Sequence, residues 1–202
     1  MCLELGAETL DLGIARDDAE EIGAKIREGL GRADVIIVTG GTSVGYADLV
    51  PTVVAQMGKP GIIVHGIAMR PGMPTALAVL QNKPIFIFSG NPVAAMVGFE
   101  VFARPLILKL LGVESEPRPM VKARLTQRVA STLGHRVFLR VKVFEKGGEF
   151  FAEPIRVRGS GVLTTMTKAN GYVMIPENRE GVDQGELITV HLFDKIGGAG
   201  IV

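Results

Sequence analysis

The hydrophobic positions follow one rhythm up to about residue 112 and another beyond it. In the first part, short apolar runs alternate with stretches of helical spacing. Residues 17–31 predict an amphipathic helix, opened by Asp17 or Asp18 and closed by Gly31. The run Val35-Ile36-Ile37-Val38 predicts a buried strand over 34–39, and a helix follows from about Pro51 with Val53, Val54 and Met57 on one face. Gly61–His65 and Pro84–Phe88 repeat the buried-strand pattern. From Val93 a long helix runs to Leu111 and stops at Gly112, with Pro105 expected to bend it. Strands alternating with helices predict a three-layer α/β domain, its sheet parallel or mostly parallel and covered on both faces.

After Gly112 the period becomes two. Glu114–Pro119 is polar and proline-rich and reads as a linker. Val121/Ala123/Leu125 and Val137/Leu139/Val141/Val143 then alternate, and further short strands fit 150–155, 172–175 and 187–192. Gly147-Gly148 supplies a hairpin turn. The expected organisation is an α/β domain over 1–113 and a small all-β, barrel-like domain over 118–202.

Composition narrows the function. A net charge of +1, with no run of Lys or Arg, argues against a nucleic-acid surface. The single cysteine, Cys2, excludes an internal disulfide and fits a reducing compartment. One Cys and three scattered His cannot build a zinc site. The longest apolar stretch, 92–111, carries Glu100, Arg104 and Lys109 and is too charged for a membrane span. With no signal peptide ahead of the first element, the expected location is the cytoplasm.

The candidate chemistry lies in the turns. Gly40-Gly41-Thr42-Ser43-Val44-Gly45 follows a buried strand, where open α/β sheets bind anionic ligands through turn amides. Tight geometry alone could also explain the glycines. A P-loop is excluded, since Tyr46 and Ala47 stand where Lys and Ser/Thr are needed. Asp48 suits a hard cation held together with substrate phosphate, or equally a helix cap. Arg70-Pro71-Gly72-Met73-Pro74 reads as a rigid loop, either a binding rim with Arg70 facing an anion or an ordinary loop. Ser89-Gly90-Asn91-Pro92 follows another buried strand and opens a helix, which should place its amides beside the first glycine turn.

Together these segments resemble the C-terminal half of the MoeA/gephyrin family, the molybdopterin molybdenumtransferases. The match rests on Leu12–Asp18, Gly40–Gly45 with Asp48, Pro71-Gly72-Met73-Pro74 and Gly90-Asn91-Pro92-Val93, in the family's order and approximate spacing. Gly159-Ser160-Gly161, Ala169-Asn170-Gly171 and Pro176-Glu177 extend it through the β domain. The resemblance implies an enzyme that takes adenylylated molybdopterin and molybdate, or tungstate, and releases AMP in a Mg²⁺-dependent step. It implies Asp48 at the metal and phosphate, Gly41–Gly45 and Ser89–Pro92 at the pterin or its phosphate, and Arg70 near the oxyanion. It also implies a homodimer. Met73 departs from the Lys common at its position, and Ser89 from a usual Pro. Family members carry two further N-terminal subdomains and a first strand not found here, so the expectation is a C-terminal fragment or a short paralogue. The alternatives are a non-catalytic pterin- or nucleotide-binding scaffold, or a hydrolase of a phosphorylated metabolite on the same type of domain.

Overall fold

The computed structural model describes residues 1–41, 49–113, 118–155, 168–193 and 196. The chain divides into two compact units, Met1–Ile67 with Gly72–Ser115, and Ala68–Pro71 with Glu116–Val202.

The first unit is a three-layer α/β domain. Helix α1 spans Ala19–Arg32; Asp18 caps it by accepting from the Glu21 amide at 2.8 Å, and it runs one residue past Gly31. Strand β1 is Ile36–Thr39, helix α2 Leu49–Gln56 and strand β2 Pro60–His65. Strands β4 (Ala76–Leu80) and β5 (Lys83–Phe88) follow the short strand β3 (Met69–Arg70), which belongs to the other unit. The sheet order is β1-β5-β4-β2. Alternation along β5 decides which layer each side chain enters. Ile85 and Ile87 meet Ile22, Ile26 and Leu30 of α1 and Val53 and Val54 of α2 on one face. Phe86 and Phe88 meet Phe99, Ala103 and Ile107 on the other.

The expectation of a mostly parallel sheet needs correction. Among the described residues of this sheet only the β1–β5 pair is parallel; β5–β4 and β4–β2 are antiparallel. A parallel return requires a crossover, usually a helix. Here β4 turns into β5 through Gln81 and Asn82 alone, both at positive φ (52° and 61°), as a tight hairpin demands. Residues 76–80, for which the sequence pattern predicts no element, are therefore a central strand.

The long C-terminal helix is interrupted. Helix α3 (Pro92–Gly98) passes into one π-helical turn (Phe99–Ala103) and then α4 (Arg104–Leu110). Pro105 has no amide to give back to the preceding turn, and the widened turn lies immediately ahead of it.

The second unit is a closed five-stranded barrel. Its strands are β6 (Met120–Leu125), β8 (Arg136–Lys146), β9 (Glu149–Pro154), β10 (Gly171–Ile175) and β12 (Leu187–Leu192). The circuit β8-β9-β6-β12-β10 closes through β10 pairing back to β8. Short strands β7 (Val129–Ala130) and β11 (Gly181–Val182) pair with each other. Strand β3 adds to β8 in parallel, Arg70 opposite Val137. Val137, Leu139, Val141 and Val143 face the core, as the alternation predicts.

On the outer face, Tyr172 stacks on His191 with ring centroids 5.0 Å apart and planes 11° from parallel. Burial lowers the His191 pKa from its ordinary value of 6.5, because the charged imidazolium is the form that loses hydration. The unfolded chain then binds the proton more readily than the folded one. The protein should thus lose stability as the pH falls below about 6.5 and through the lower folded value. His191→Phe should flatten that part of a stability-against-pH curve measured by urea unfolding.

Candidate ligand-binding site

Parallel pairing of β1 with β5 sets the candidate site of the α/β unit. Thr39 lies opposite Phe88, so both strands end at the same level and release their turns side by side. The Gly40 amide donates to the Phe88 carbonyl at 2.9 Å and carries the ladder into the turn. Gly40 and Gly41 have φ of 92° and 68°, a region other residues enter at a cost. Val50 of α2 sits directly behind Gly41, where an added Cβ would lie 2.5 Å from its Cγ2. Across the gap, a Cβ on Gly90 would come within 3.3 Å of the Gly40 Cα. Gly40 and Gly90 thus meet backbone to backbone at the carboxyl edge of the sheet. Thr42, Ser43, Val44, Gly45 and Asp48 lie outside the described residues.

At the Ser89–Pro92 turn, expected to hold the pterin or its phosphate, three amides donate within the protein. Asn91 caps α3, its Oδ1 accepting from the Val93 and Ala94 amides at 3.0 and 3.3 Å. The Ser89 hydroxyl oxygen accepts from the Asn91 amide at 3.2 Å. These donors are spent inside the protein, because Asn at this position satisfies a helix start better than it serves a ligand.

The Arg70–Pro74 segment is also more ordered than a loop. Arg70 ends β3 and, with Pro71, belongs to the barrel unit, whereas Gly72 returns to the α/β unit. There the Ile67 amide donates to the Met73 carbonyl at 2.9 Å and the Thr75 amide to the Gly72 carbonyl at 3.0 Å. Met73, at the Lys position of the resembled family, is exposed.

The barrel reveals a residue the sequence reading did not single out. Arg140 lies on the outer face of β8, opposite Tyr172 and three residues beyond Arg70's partner Val137. Arg124, Arg128, Arg136 and Arg179 each face a carboxylate, at 3.6, 3.3, 3.0 and 2.8 Å. Arg140 has no carboxylate among the described residues. Among the described residues its Nε is buried without a hydrogen-bond partner, and its one bond is from a terminal nitrogen to the Phe138 carbonyl at 3.4 Å. Burial pulls its pKa down from the ordinary value, yet a guanidinium in a protein keeps its proton. A half-buried cation lacking an anion is suited to receiving one from outside. Sequence could not flag it, since alternation puts Arg140 beside Lys142 as one more solvent-facing charge.

Two family models match. One, described as "Probable molybdopterin binding domain", covers residues 1–109, and the other, "MoeA C-terminal region (domain IV)", covers 122–193. The chain belongs to the MoeA family. A protein of Methanocaldococcus jannaschii whose name assigns it provisionally to molybdopterin biosynthesis is 38% identical over 189 residues, 94% of this chain and 44% of that one. The molybdopterin molybdenumtransferase of Bacillus subtilis is 31% identical over 197 residues, 98% of this chain and 46% of that enzyme. The crystal structure of a molybdopterin biosynthesis MoeA protein from Pyrococcus horikosii superimposes with a TM-score of 0.80 at 38% identity, over 96% of this chain and 46% of that one. The chain therefore spans less than half the length of these three MoeA-family relatives.

Proposed function

We propose that this chain provides the pterin- and oxyanion-binding part of a molybdenum cofactor biosynthesis protein, acting in the insertion of molybdate, or tungstate, into adenylylated molybdopterin with release of AMP. The apposed glycine turns carry the reading, within a stretch that matches the molybdopterin-binding family model. Backbone that can approach a ligand without side chains in the way suits the pterin and its phosphate. The metal oxyanion carries several negative charges that need neutralising before it can be handed over; we assign Arg70 to it, and Arg140 on the barrel is a separate cation able to receive such an anion.

Among the described residues no group of three His, Cys, Asp or Glu could hold a metal ion. A Mg²⁺ ion needs fewer protein ligands when phosphate oxygens complete its shell, and Asp48 is the carboxylate we assign to it. When bound, the cation would offset charge on the leaving phosphate. The same reading has the protein at work in the cytoplasm as a homodimer. Among the described residues no helix is long and apolar enough to cross a membrane.

Calorimetric titration with molybdopterin, with and without Mg²⁺, tests the proposal. Affinity in the micromolar range, strengthened by Mg²⁺ and lost from that dependence in Asp48→Asn, is the expected result. An Asp48→Asn variant that responds to Mg²⁺ as the parent does would make Asp48 a helix cap only. Arg70→Ala should weaken molybdate binding, and unaltered binding would remove Arg70 from the oxyanion site. A folded chain that takes up no pterin would favour the scaffold reading.

A further inference from the structure

Strand β10 ends its ladder with β8 at Gly171 opposite Val141. The next position along β8 on this edge is Val143, but the main chain has already turned away. Asn170 fills the gap with its side chain. Its Oδ1 accepts from the Val143 amide at 2.7 Å, and its Nδ2 donates to the Val143 carbonyl at 2.8 Å. Its own amide donates to the Val141 carbonyl at 3.2 Å, and its carbonyl accepts from the Phe193 amide at 2.9 Å. A side-chain amide thus stands in for a strand residue, and the barrel seam stays hydrogen-bonded one register longer. Val141 and Val143 are 0% and 1% exposed, so without Asn170 the Val143 amide and carbonyl would have no water to turn to. No other side chain offers donor and acceptor at this length: Asp and Ser lack the amide pair, and Gln is one carbon too long.

Arg140 precedes these two valines. Its ladder partner across the seam is Tyr172, two residues from Asn170, and its carbonyl accepts from the Ile155 amide on the other edge at 3.0 Å. We propose that Asn170 is a positioning residue for Arg140, its side-chain amide closing the β8–β10 seam so that the guanidinium is held where an oxyanion can reach it. The proposal rests on the oxyanion reading of Arg140 given above.

The test uses the full chain, molybdate as the probe, and four variants. Asn170→Ala removes both side-chain bonds, and Asn170→Asp keeps the acceptor should the alanine variant fail to fold. Ile188→Val, in the barrel core on β12 and paired with Ala123 of β6, controls for lost stability alone. Arg140→Lys tests the underlying reading. Calorimetry reads the molybdate affinity, and NMR reads solvent exchange of the Arg140 Nε proton. Asn170→Ala should weaken molybdate binding about tenfold, the lower end of what partners orienting a ligating side chain contribute. It should also speed Nε exchange; Asn170→Asp should do both to a lesser degree and Ile188→Val neither. Parental affinity and exchange in both Asn170 variants, with Arg140→Lys weakened, would overturn the positioning role alone. Unchanged affinity in Arg140→Lys, or no uptake of molybdate by the parent, would overturn the oxyanion reading and the proposal with it.

Discussion

Arg140→Met is expected to give a protein that melts higher and binds oxyanion worse. The guanidinium cannot shed its proton, so folding strips water from a charge that nothing among the described residues neutralises. Methionine keeps most of the length and volume without the charge. Because Arg140 is only half-buried, the gain should be about 1 kcal/mol, or roughly 5 °C in the melting temperature of a unit of this size. The loss should be larger: charge-assisted hydrogen bonds contribute about 1.5–3 kcal/mol, so molybdate affinity should fall about 10- to 100-fold. Differential scanning calorimetry and molybdate titration read the two effects separately. A lower melting temperature with unchanged molybdate affinity would make Arg140 a structural residue whose outer-face packing matters more than its charge.

Phe88→Ala should have the largest effect on stability, about 3–5 kcal/mol. Phe88 is 1% exposed, stacks on Phe86 with centroids 5.9 Å apart, and presses so closely on α3 that an added Cβ at Gly98 would lie 2.6 Å from its ring. Gly98 is glycine because the ring occupies that space, so an alanine at 88 leaves a cavity the helix cannot fill by moving slightly. The same residue ends β5, and its carbonyl receives the Gly40 amide at 2.9 Å. Loss of the ring should therefore loosen both glycine turns as well. With no tryptophan in the chain, urea unfolding followed by far-UV circular dichroism is the suitable measurement. Phe88→Leu, which refills much of the volume, should recover most of the loss; equal losses in the two variants would mean the aromatic stack matters more than the volume.

Much of the architecture was legible because local rules agreed with it. Asp18 caps α1, the run at 35–38 becomes β1, and the alternation at 137–143 gives the barrel core. What escaped reading depended on long-range pairing. Ala76-Leu77-Ala78-Val79-Leu80 has no β-branched emphasis beyond Val79, and only burial between β2 and β5 makes it a strand. Arg70 reads as loop in the sequence because its strand is two residues long and its partner, Val137, lies far along the chain. At the site, the glycines were legible from their position after buried strands. The cap that Asn91 provides to its own helix shows only in the folded chain, and Arg140 does not stand out because sequence cannot show which arginines lack a carboxylate.

Residues 68–71 leave one unit to complete a strand of the other, and the chain then returns. Covalent connection therefore couples the two units whatever else they share. Melting the segment around β2 and β4 frees the ends that hold β3 in place, and the barrel then loses a strand from β8 and exposes an edge to other chains. A protease cut between residues 113 and 118 would leave that link intact, since β3 stays on the amino-terminal fragment. The two pieces would then remain associated through β3 as a complementing pair, with neither behaving as an independent module.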